Sequence, residues 1–358
     1  MQRIKNYGSF LQAYALKDMI EELGHKVEFV DYHIQKPIIE KESKTSIFTK
    51  VFKELKGNAK FFHKLQYFKH KYQFGKKYFD LLGLTEEFNY NPKLDTLVIG
   101  SDEVFNCIQS NNNVGYSLEL FGKNNNADKV ITYAASFGNT TLDKLNSYNK
   151  TEEIAALLNR MDAISVRDNN SYLIVNELTD KEIVSNLDPV LVYDYVNRDG
   201  LIPNIKVKEK YIIVYAYSGR ISDYESKVIK KYAKEKGLKV YSIGGVQKCA
   251  DKFIDCSPFE VLAYFKNAEC IITDTFHGSI FSIINNKLFL TLVRKSVGNS
   301  YGNEEKLTSL LKKLELTKRI IYNIDDINRI ENEIDYNCVG SILKIERENT
   351  INYLKERL

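Results

Sequence analysis

One histidine of this chain lies in a local sequence that could support acid–base chemistry on an anionic substrate. His277 follows the apolar stretch Cys270–Thr273 and directly precedes Gly278, which opens an amphipathic run. This pattern predicts a strand, a polar turn and a helix, so His277 is expected where a parallel strand ends and a helix begins. Backbone amides at such a helix start bind anions. A titratable ring there is suited to moving a phosphorylated group, with His277 as general acid–base.

Other polar residues also follow predicted strands, and they could hold the substrate. Carboxyl ends of parallel strands meet at one edge of a sheet, where ligands bind. Arg167, Arg220 and Arg294 are the candidates for an anion clamp. Small polar residues at strand ends are also ordinary helix caps and turn formers, but their convergence with the arginines favours a binding role. These further candidates are Ser101, Asp102, Ser136 and Thr275.

The remaining histidines and cysteines show no pattern of a metal site. His25, His33, His63 and His70 are predicted to be surface residues. The five cysteines are odd in number and none are spaced as metal-ligand pairs, so we expect no metal and no bound cofactor. A reducing, cytoplasmic location is the simplest expectation for such cysteine usage.

Composition narrows the classes of protein further. A chain of 358 residues with 44% hydrophobic and 27% charged residues is typical of a soluble globular protein of two domains. The net charge of +4 does not indicate nucleic-acid binding, which requires a concentrated basic face. No apolar run approaches the length that crosses a membrane.

The elements that would position these residues alternate between strand and helix in two series. The predicted strands are Lys26–Tyr32, Thr96–Gly100, Lys129–Ala134, Ala163–Val166, Glu182–Asn186, Tyr211–Tyr217, Lys239–Ile243, Cys270–Thr273 and Lys287–Arg294. The predicted helices are Gly8–Leu23, Asp168–Leu178, Ser222–Lys236, one opened by the capping box Ser257–Glu260, Glu304–Leu314 and Ile342–Arg357. Such alternation predicts an α/β fold of two Rossmann-like, doubly wound domains facing across a cleft. We expect an N-terminal domain over 1–195, a C-terminal domain over 210–340 and a final helix over 341–358.

The stretch 50–79 interrupts the first series and mixes nine lysines with many aromatic residues. One interpretation is a helical insert whose aromatic residues pack inward while the lysines are solvated. The other is contact with an anionic membrane surface or a lipid-linked acceptor at the inner face of the membrane.

The ordered motifs of the chain resemble those of the polysaccharide pyruvyl transferase family. They span nearly the whole sequence in the expected order, which makes the set more specific than any one motif. The matching segments are Asn6–Leu16, Ile99–Asn106, Tyr133–Gly138, Ile164–Asp168, Asp188–Leu191, Ser257–Glu260 and Thr273–Ser279.

The resemblance implies a glycosyltransferase-B-like fold and a bacterial enzyme of cell-envelope and exopolysaccharide biosynthesis. Such an enzyme transfers pyruvate from phosphoenolpyruvate to a saccharide acceptor as a cyclic ketal and releases phosphate. The histidine regarded as catalytic in that family corresponds to His277. The motifs add Asn6, Gly8, Gly278 and Ser279 to the expected substrate-binding residues.

The chain departs from the family pattern at two places. Several members carry an arginine two residues before the histidine, where this chain has Thr275. The family also opens with an apolar strand before the Asn-Tyr-Gly turn, whereas only five residues precede Asn6. We therefore expect that the N-terminal domain lacks its first strand and that the native polypeptide begins upstream of Met1. Two other functions stay open: a nucleotide-sugar glycosyltransferase on the same architecture, and a non-catalytic glycan-binding homologue.

Overall fold

The computed structural model describes residues 1–39, 59–109, 111–295 and 304–358. Within these residues the chain forms ten strands. They are β1 Lys93–Gly100, β2 Asn126–Tyr133, β3 Ile164–Val166, β4 Ile183–Ser185, β5 Tyr211–Tyr215, β6 Lys239–Ile243, β7 Lys252–Phe253, β8 Cys270–Thr273, β9 Leu288–Leu292 and β10 Ile320–Ile321.

The α-helices of the described residues alternate with these strands. They are α1 Tyr7–Glu22, α2 Phe61–Tyr78, α3 Leu142–Ser147, α4 Thr151–Leu158, α5 Asn169–Leu178, α6 Pro189–Val192, α7 Asp223–Glu235, α8 Pro258–Asn267, α9 Phe276–Ile284, α10 Glu304–Lys313 and α11 Tyr336–Arg357. Short 3₁₀ turns lie at Phe79–Leu82, Leu118–Phe121, Thr317–Arg319 and Ile324–Glu331.

The C-terminal lobe is built on a six-stranded sheet in which every neighbouring pair is parallel. Its strand order is β10-β9-β8-β5-β6-β7. Strands β5 and β8 are buried at every residue, as expected for central strands covered by helices on both faces. Helices α8 and α9 both begin with side-chain caps, and α8 has the predicted capping box of Ser257 and Glu260.

The N-terminal lobe carries a parallel sheet in the order β1-β2-β3-β4. Strands β1 and β2 pair over their whole length, and β3 pairs with β4. Two parallel bridges, Ile131 with Ala163 and Ala135 with Val166, place β3 beside β2. The last helix, α11, packs back on this lobe, where Tyr353 donates a hydrogen bond to the Thr132 carbonyl at 2.7 Å. The predicted α/β class with two Rossmann-like parallel sheets is confirmed. The division into 1–195, 210–340 and 341–358 stays a prediction.

The predicted strand Lys26–Tyr32 is wrong. This segment forms no ladder in the structure, and only Asp31 makes an isolated bridge, to Tyr90. Alternation of apolar residues is present, but a strand also needs a hydrogen-bonded neighbour. Between this segment and β1 lies a cavity of about 480 Å³, so no ladder forms there among the described residues.

The basic aromatic insert is described only in part. Residues 50–58 lie outside the described residues, and α2 accounts for most of the remainder. The surface prediction for two histidines is wrong, because His63 and His70 are buried on α2. His70 Nδ1 lies 2.6 Å from a carboxylate oxygen of Asp255, so α2 is fixed to the C-terminal lobe. No helix among the described residues has the length and apolarity to span a bilayer.

Candidate functional site

The His277 side chain lies at the junction of the two lobes, on the first turn of α9. The Thr275 hydroxyl caps this helix by accepting a hydrogen bond from the Gly278 amide at 2.9 Å. The imidazole is 14% exposed and packs against α1 of the other lobe. The contact is so close that a Cβ on Gly8 would lie 2.3 Å from Nδ1. Only glycine therefore fits at position 8, because any side chain there would collide with the imidazole of His277.

A buried carboxylate faces the other nitrogen of this ring. His277 Nε2 lies 3.7 Å from Oδ2 of Asp188, whose side chain is fully buried. The same oxygen accepts hydrogen bonds from Gln12 of α1 and, at 2.8 Å, from Arg167. The other carboxylate oxygen of Asp188, Oδ1, accepts a hydrogen bond from the Val190 amide at 3.0 Å and caps the short helix α6. Asp188 is thus held from several sides, as a group that orients an imidazole must be.

Arg167 joins this carboxylate to a second one. Its guanidinium, 2% exposed, bonds Asp188 and contacts Asp102 Oδ1 at 3.2 Å. The guanidinium also stacks on the Phe276 ring, with 4.5 Å between its carbon and the ring centroid. Asp102 in turn accepts a hydrogen bond from the Ser9 hydroxyl at 3.2 Å. The buried charges of Arg167 and Asp188 and the partly buried charge of Asp102, which is 18% exposed, therefore lie together beside His277.

Electrostatics keeps these carboxylates ionised although they are buried. Burial alone would raise the pKa of Asp188, but His277 and Arg167 outweigh it, and the pKa stays below its usual value. Burial likewise opposes ionisation of Asp102, and Arg167 again holds the pKa low. Burial would lower the pKa of Arg167, yet the two aspartates raise it. The network thus presents fixed charges to the imidazole.

A second charged cluster follows strands β5, β8 and β9 of the C-terminal lobe. Arg294 forms a bidentate ion pair with Glu225 at 2.6 and 3.0 Å and also donates to the Arg220 carbonyl. Arg220, with a side chain 33% exposed, lies 3.7 Å from the buried Asp274 and over the Tyr217 ring. Burial raises the pKa of Asp274 to about 6, against the pull of Arg220.

Apart from Arg220 and Arg294 of the second cluster, the predicted site residues divide into two groups in the structure. Asn6, Gly8, Asp102, Arg167, Thr275 and His277 surround the junction of the lobes, with Asn6 capping α1 through the Ser9 amide. The others are buried in hydrogen bonds of their own lobe: Ser101 donates to the Ala134 carbonyl, Ser136 to Asp168, and Ser279 bonds the Thr275 carbonyl and Thr291. Gly278 packs against Thr273. Substrate binding by these residues stays a prediction.

Sequence reasoning did not assign Gln12, Asp188 or Asp274 to the site. Gln12 could have been found, because it lies one helical turn after Gly8 and so shares its face. Asp188 carried a signal as well, since an aspartate before Pro189 follows a predicted strand. Among the described residues no group of three or more histidines, cysteines or acids is placed to hold a metal ion.

Comparison with known proteins identifies the family to which the chain belongs. The model of the polysaccharide pyruvyl transferase family matches residues 6–296, which include every residue of the junction. The chain belongs to the polysaccharide pyruvyl transferase family. It is therefore a member of a transferase family, as its motifs predicted. No curated protein matches the chain.

Three solved structures are distantly similar to the chain. The glycotransferase of kitacinnamycin is 8% identical, covering 96% of this chain and 92% of its own, with a TM-score of 0.43. A UDP-N-acetylglucosamine 2-epimerase from Rickettsia bellii is 12% identical over 63% and 68% of the two chains, with a TM-score of 0.32. A T4 phage BGT mutant in complex with UDP-glucose is 11% identical over 74% and 97%, with a TM-score of 0.33.

Proposed function

We propose that this protein transfers pyruvate from phosphoenolpyruvate to a saccharide, forming a cyclic ketal and releasing phosphate. The observation that carries the proposal is the His277–Asp188 pair at the lobe junction of a chain from this family. Asp188 faces Nε2, which supports Nδ1 as the nitrogen that exchanges protons with the substrate. Asp188 would then orient the ring as the carboxylate of a catalytic triad does.

The reaction requires proton transfers that one positioned imidazole can serve. An acceptor hydroxyl bonds to C2 of phosphoenolpyruvate and gives up its proton, while C3 gains a proton. A second hydroxyl then displaces phosphate from C2 and closes the ketal, and its proton leaves with the phosphate or the medium. His277 is proposed to relay these protons, a role worth roughly 10²–10⁴ in rate.

The donor's negative charges need partners other than Arg167, whose guanidinium is already engaged by two aspartates. Arg220 and Arg294 of the second cluster are about equally exposed, at 33% and 31%, but Arg220 lies 3.7 Å from Asp274 whereas Arg294 is held by Glu225 at 2.6 and 3.0 Å. The N-termini of α1 and α9 also meet at the junction, since Gly8 touches His277. Helix N-termini stabilise anions through free amides and the helix dipole. We therefore assign carboxylate and phosphate binding to Arg220 and these two helix starts.

Turnover of defined substrates tests the proposal. Purified protein is incubated with phosphoenolpyruvate and a panel of saccharide acceptors, and phosphate release and ketal formation are measured. We expect acceptor-dependent phosphate release that His277→Ala abolishes. Stabilisation by uridine or guanosine diphosphate sugars but not by phosphoenolpyruvate would instead identify a nucleotide-sugar glycosyltransferase. Saccharide binding without turnover of either donor would identify a glycan-binding protein.

We also propose that the acceptor is lipid-linked and is met at the inner, anionic face of the membrane. Helix α2 exposes a face of Phe61, Phe62, Leu65 and Tyr72, with exposed fractions of 65%, 66%, 47% and 71%. The helix contains five lysines and no acidic residue. Exposed aromatic residues among lysines fit an anionic lipid surface. His70 and Lys71 of the same helix line a small cleft with Asn6 and Thr275, next to the site.

Liposome flotation distinguishes this surface from a merely solvated helix. We expect flotation with vesicles containing anionic lipid and little with neutral vesicles, and its loss in Phe61→Ser/Phe62→Ser. Ile345→Ser, which removes an equally exposed apolar residue of α11, is the control. Equal behaviour of both variants, or no flotation, would refute the membrane contact. Turnover of a soluble acceptor should be unaffected in either variant.

A further inference from the structure

A second imidazole–carboxylate pair lies beside the first turn of α1. His70 Nδ1 is 2.6 Å from a carboxylate oxygen of Asp255. The His70 ring packs on Tyr7, with 5.3 Å between the ring centroids. Tyr7 directly precedes Gly8, which touches the His277 ring. The two imidazoles therefore contact consecutive residues of α1, although His70 comes from α2 and His277 from α9.

The His70 ring is held in one orientation by its surroundings. The Tyr7 hydroxyl donates a hydrogen bond to the Cys256 carbonyl at 3.0 Å, so α1 is anchored on the residue that follows Asp255. Phe74 meets the imidazole edge-on, with 5.5 Å between the ring centroids. As a result His70 is only 5% exposed. A side chain fixed in this way is suited to orient a ligand.

One ring nitrogen of His70 remains for a ligand. Among the described residues Nε2 has no hydrogen-bond partner, and the ring lines the small cleft that it shares with Asn6, Thr275 and Tyr217. Burial lowers the pKa of His70, although Asp255 opposes this effect, so the ring is neutral near pH 7. Because Asp255 accepts the proton of Nδ1, Nε2 is an acceptor. Such a nitrogen binds a hydroxyl, whereas a fully ionised phosphate or carboxylate has no proton to donate.

Asn6 supplies a matching donor on the same cleft. Its side-chain oxygen accepts from the Ser9 amide at 2.8 Å, and its NH₂ group has no hydrogen-bond partner within the described part of the chain. A hydroxyl both donates and accepts, so the His70 nitrogen and the Asn6 amide together suit one hydroxyl. The cleft has a volume of about 10 Å³. This is about the space that one water-sized group requires.

The cleft lies next to the groups assigned to the donor. Tyr217, which is 46% exposed, lines the cleft, and the Arg220 guanidinium lies over its ring at 4.9 Å from the centroid. Thr275, the cap of α9, lines the cleft as well. A saccharide with one hydroxyl in the cleft would therefore lie against Tyr217 and the start of α9, close to His277.

We propose that this cleft is the acceptor subsite, in which His70, oriented by Asp255, and Asn6 bind one hydroxyl of the acceptor saccharide. The inference rests on the proposed function and adds how the acceptor is held. The hydroxyl bound here is not one of the two that react. It fixes the sugar ring so that the reacting pair faces His277. His70 is then a binding residue, and no proton is transferred to it.

Nuclear magnetic resonance of the histidine rings tests the subsite without turnover. The chain has five histidines, and in protein labelled with ¹⁵N at these rings the His70 signals are identified with His70→Gln or Asp255→Asn. We expect a protonated Nδ1 and an unprotonated Nε2 near neutral pH. The probes are the methyl glycosides of glucose, galactose, mannose and N-acetylglucosamine, and separately phosphoenolpyruvate and inorganic phosphate. At least one glycoside should shift the Nε2 signal of His70, while phosphoenolpyruvate should shift His277 and not His70.

Steady-state kinetics with the glycoside that shifts His70 provides the second test. His70→Phe removes the acceptor nitrogen and should raise the KM for the saccharide roughly three- to tenfold, with kcat and the KM for phosphoenolpyruvate unchanged. His70→Gln keeps an acceptor oxygen and should recover part of the loss. Asp255→Asn releases the tautomer and should resemble His70→Phe. His33→Gln is the matched control, because His33 pairs with Glu119 at 2.9 Å on an exposed surface, and it should leave both KM values unchanged.

Failure of the subsite and failure of the transfer give different results. A glycoside that shifts His70 without any phosphate release supports the subsite and overturns the transfer. A normal saccharide KM in His70→Phe overturns the subsite and leaves the transfer intact. The subsite also falls if no glycoside shifts His70, or if only phosphoenolpyruvate or phosphate does, since the cleft would then bind anions. If His70→Phe does not fold, the response of the unaltered protein decides.

Discussion

Gly8 lies directly against the imidazole of His277, and this contact joins the first helix of one lobe to the catalytic candidate of the other. A Cβ at Gly8 would be 2.3 Å from Nδ1 and 2.4 Å from Cγ of the ring. The ring itself must therefore move if position 8 gains a side chain. On its other side the ring meets Asp188. The orientation of His277 is thus set by a glycine and a carboxylate from the opposite lobe.

Gly8→Ala should reduce activity while the protein stays folded. The methyl group displaces the ring, and a shift of about 1 Å at a reacting group lowers rates by roughly 10²-fold. The measurement is kcat/KM for phosphate release, with circular dichroism to check folding.

Gly340→Ala is the matched control for this change, because a Cβ there meets nothing within 4 Å on α11. It should keep full activity and gain about 0.5–1 kcal/mol in the free energy of unfolding from helix propensity. In a His277→Ala background, Gly8→Ala should lower activity no further. A Gly8→Ala enzyme with normal kcat/KM would contradict the assigned orientation of the ring.

Arg167→Met should be among the most destabilising single changes in the chain. It leaves Asp188, which is fully buried, and Asp102 without their shared positive partner. Removing one partner from a buried ion pair costs about 3–5 kcal/mol. Urea denaturation measures the change in the free energy of unfolding.

Lys231→Ala is the comparison for Arg167→Met, since Lys231 forms an exposed pair with Glu235 on α7. Exposed pairs contribute little, so this variant should unfold like the unaltered protein. Arg167→Lys should recover only part of the loss, because lysine cannot bridge two carboxylates with a planar fork. Similar denaturation midpoints for Arg167→Met and Lys231→Ala would exclude a structural role for the arginine network.

Much of the fold could be predicted from sequence because its signals are local. Strand Lys239–Ile243 and the capping box at Ser257 follow from short patterns, and both are present as predicted. The segment Lys26–Tyr32 failed because its pattern says nothing about which neighbour pairs with it. His70 failed for a similar reason: a helix rich in lysine looks exposed, while its partner Asp255 lies far along the chain.

The candidate site was predictable in its centre and less so in its surroundings. His277 was evident because a strand, a turn and a helix start are adjacent in sequence. The carboxylate Asp188 beside it comes from the other lobe, and no local pattern brings these two together. Sequence also gave the three arginines equal roles, whereas the structure engages Arg167 and Arg294 with carboxylates. Which charges are already neutralised depends on packing across the lobes.

Arg220→Ala should weaken donor binding more than it affects stability. Arg220 is 33% exposed and its ion pair with Asp274 is long at 3.7 Å. We expect the KM for phosphoenolpyruvate to rise at least about tenfold, because the variant loses roughly one charge-assisted hydrogen bond to the donor. Steady-state kinetics with varied phosphoenolpyruvate measures it. Arg294→Ala is the counterpart: its loss leaves Glu225 without a bidentate partner, so it should lower the unfolding midpoint instead. An unchanged KM in Arg220→Ala would remove Arg220 from the donor site.

Asp274 should make the protein less stable as pH rises from about 4 to 6. Its pKa is raised from 3.8 to about 6 in the folded chain because the carboxyl is buried. In this window the folded state holds more protons than the unfolded state, so the free energy of unfolding falls with increasing pH. A shift of about two pKa units corresponds to about 3 kcal/mol once Asp274 is ionised. Asp102 and Asp188 act in the opposite sense and at lower pH, because their pKa values are held low.

Asp274→Asn should remove this slope, because the amide stays neutral throughout the window. Urea denaturation at half-unit steps from pH 4 to 8 measures the effect, and the variant should exceed the unaltered protein in stability above pH 6. Asp199→Asn, at an exposed loop position, should retain the original profile. If Asp274→Asn and the unaltered chain lose stability in parallel between pH 4 and 6, the carboxyl is ionised throughout. Arg220 would then be neutralised by Asp274, and its assignment to the donor phosphate would fail as well.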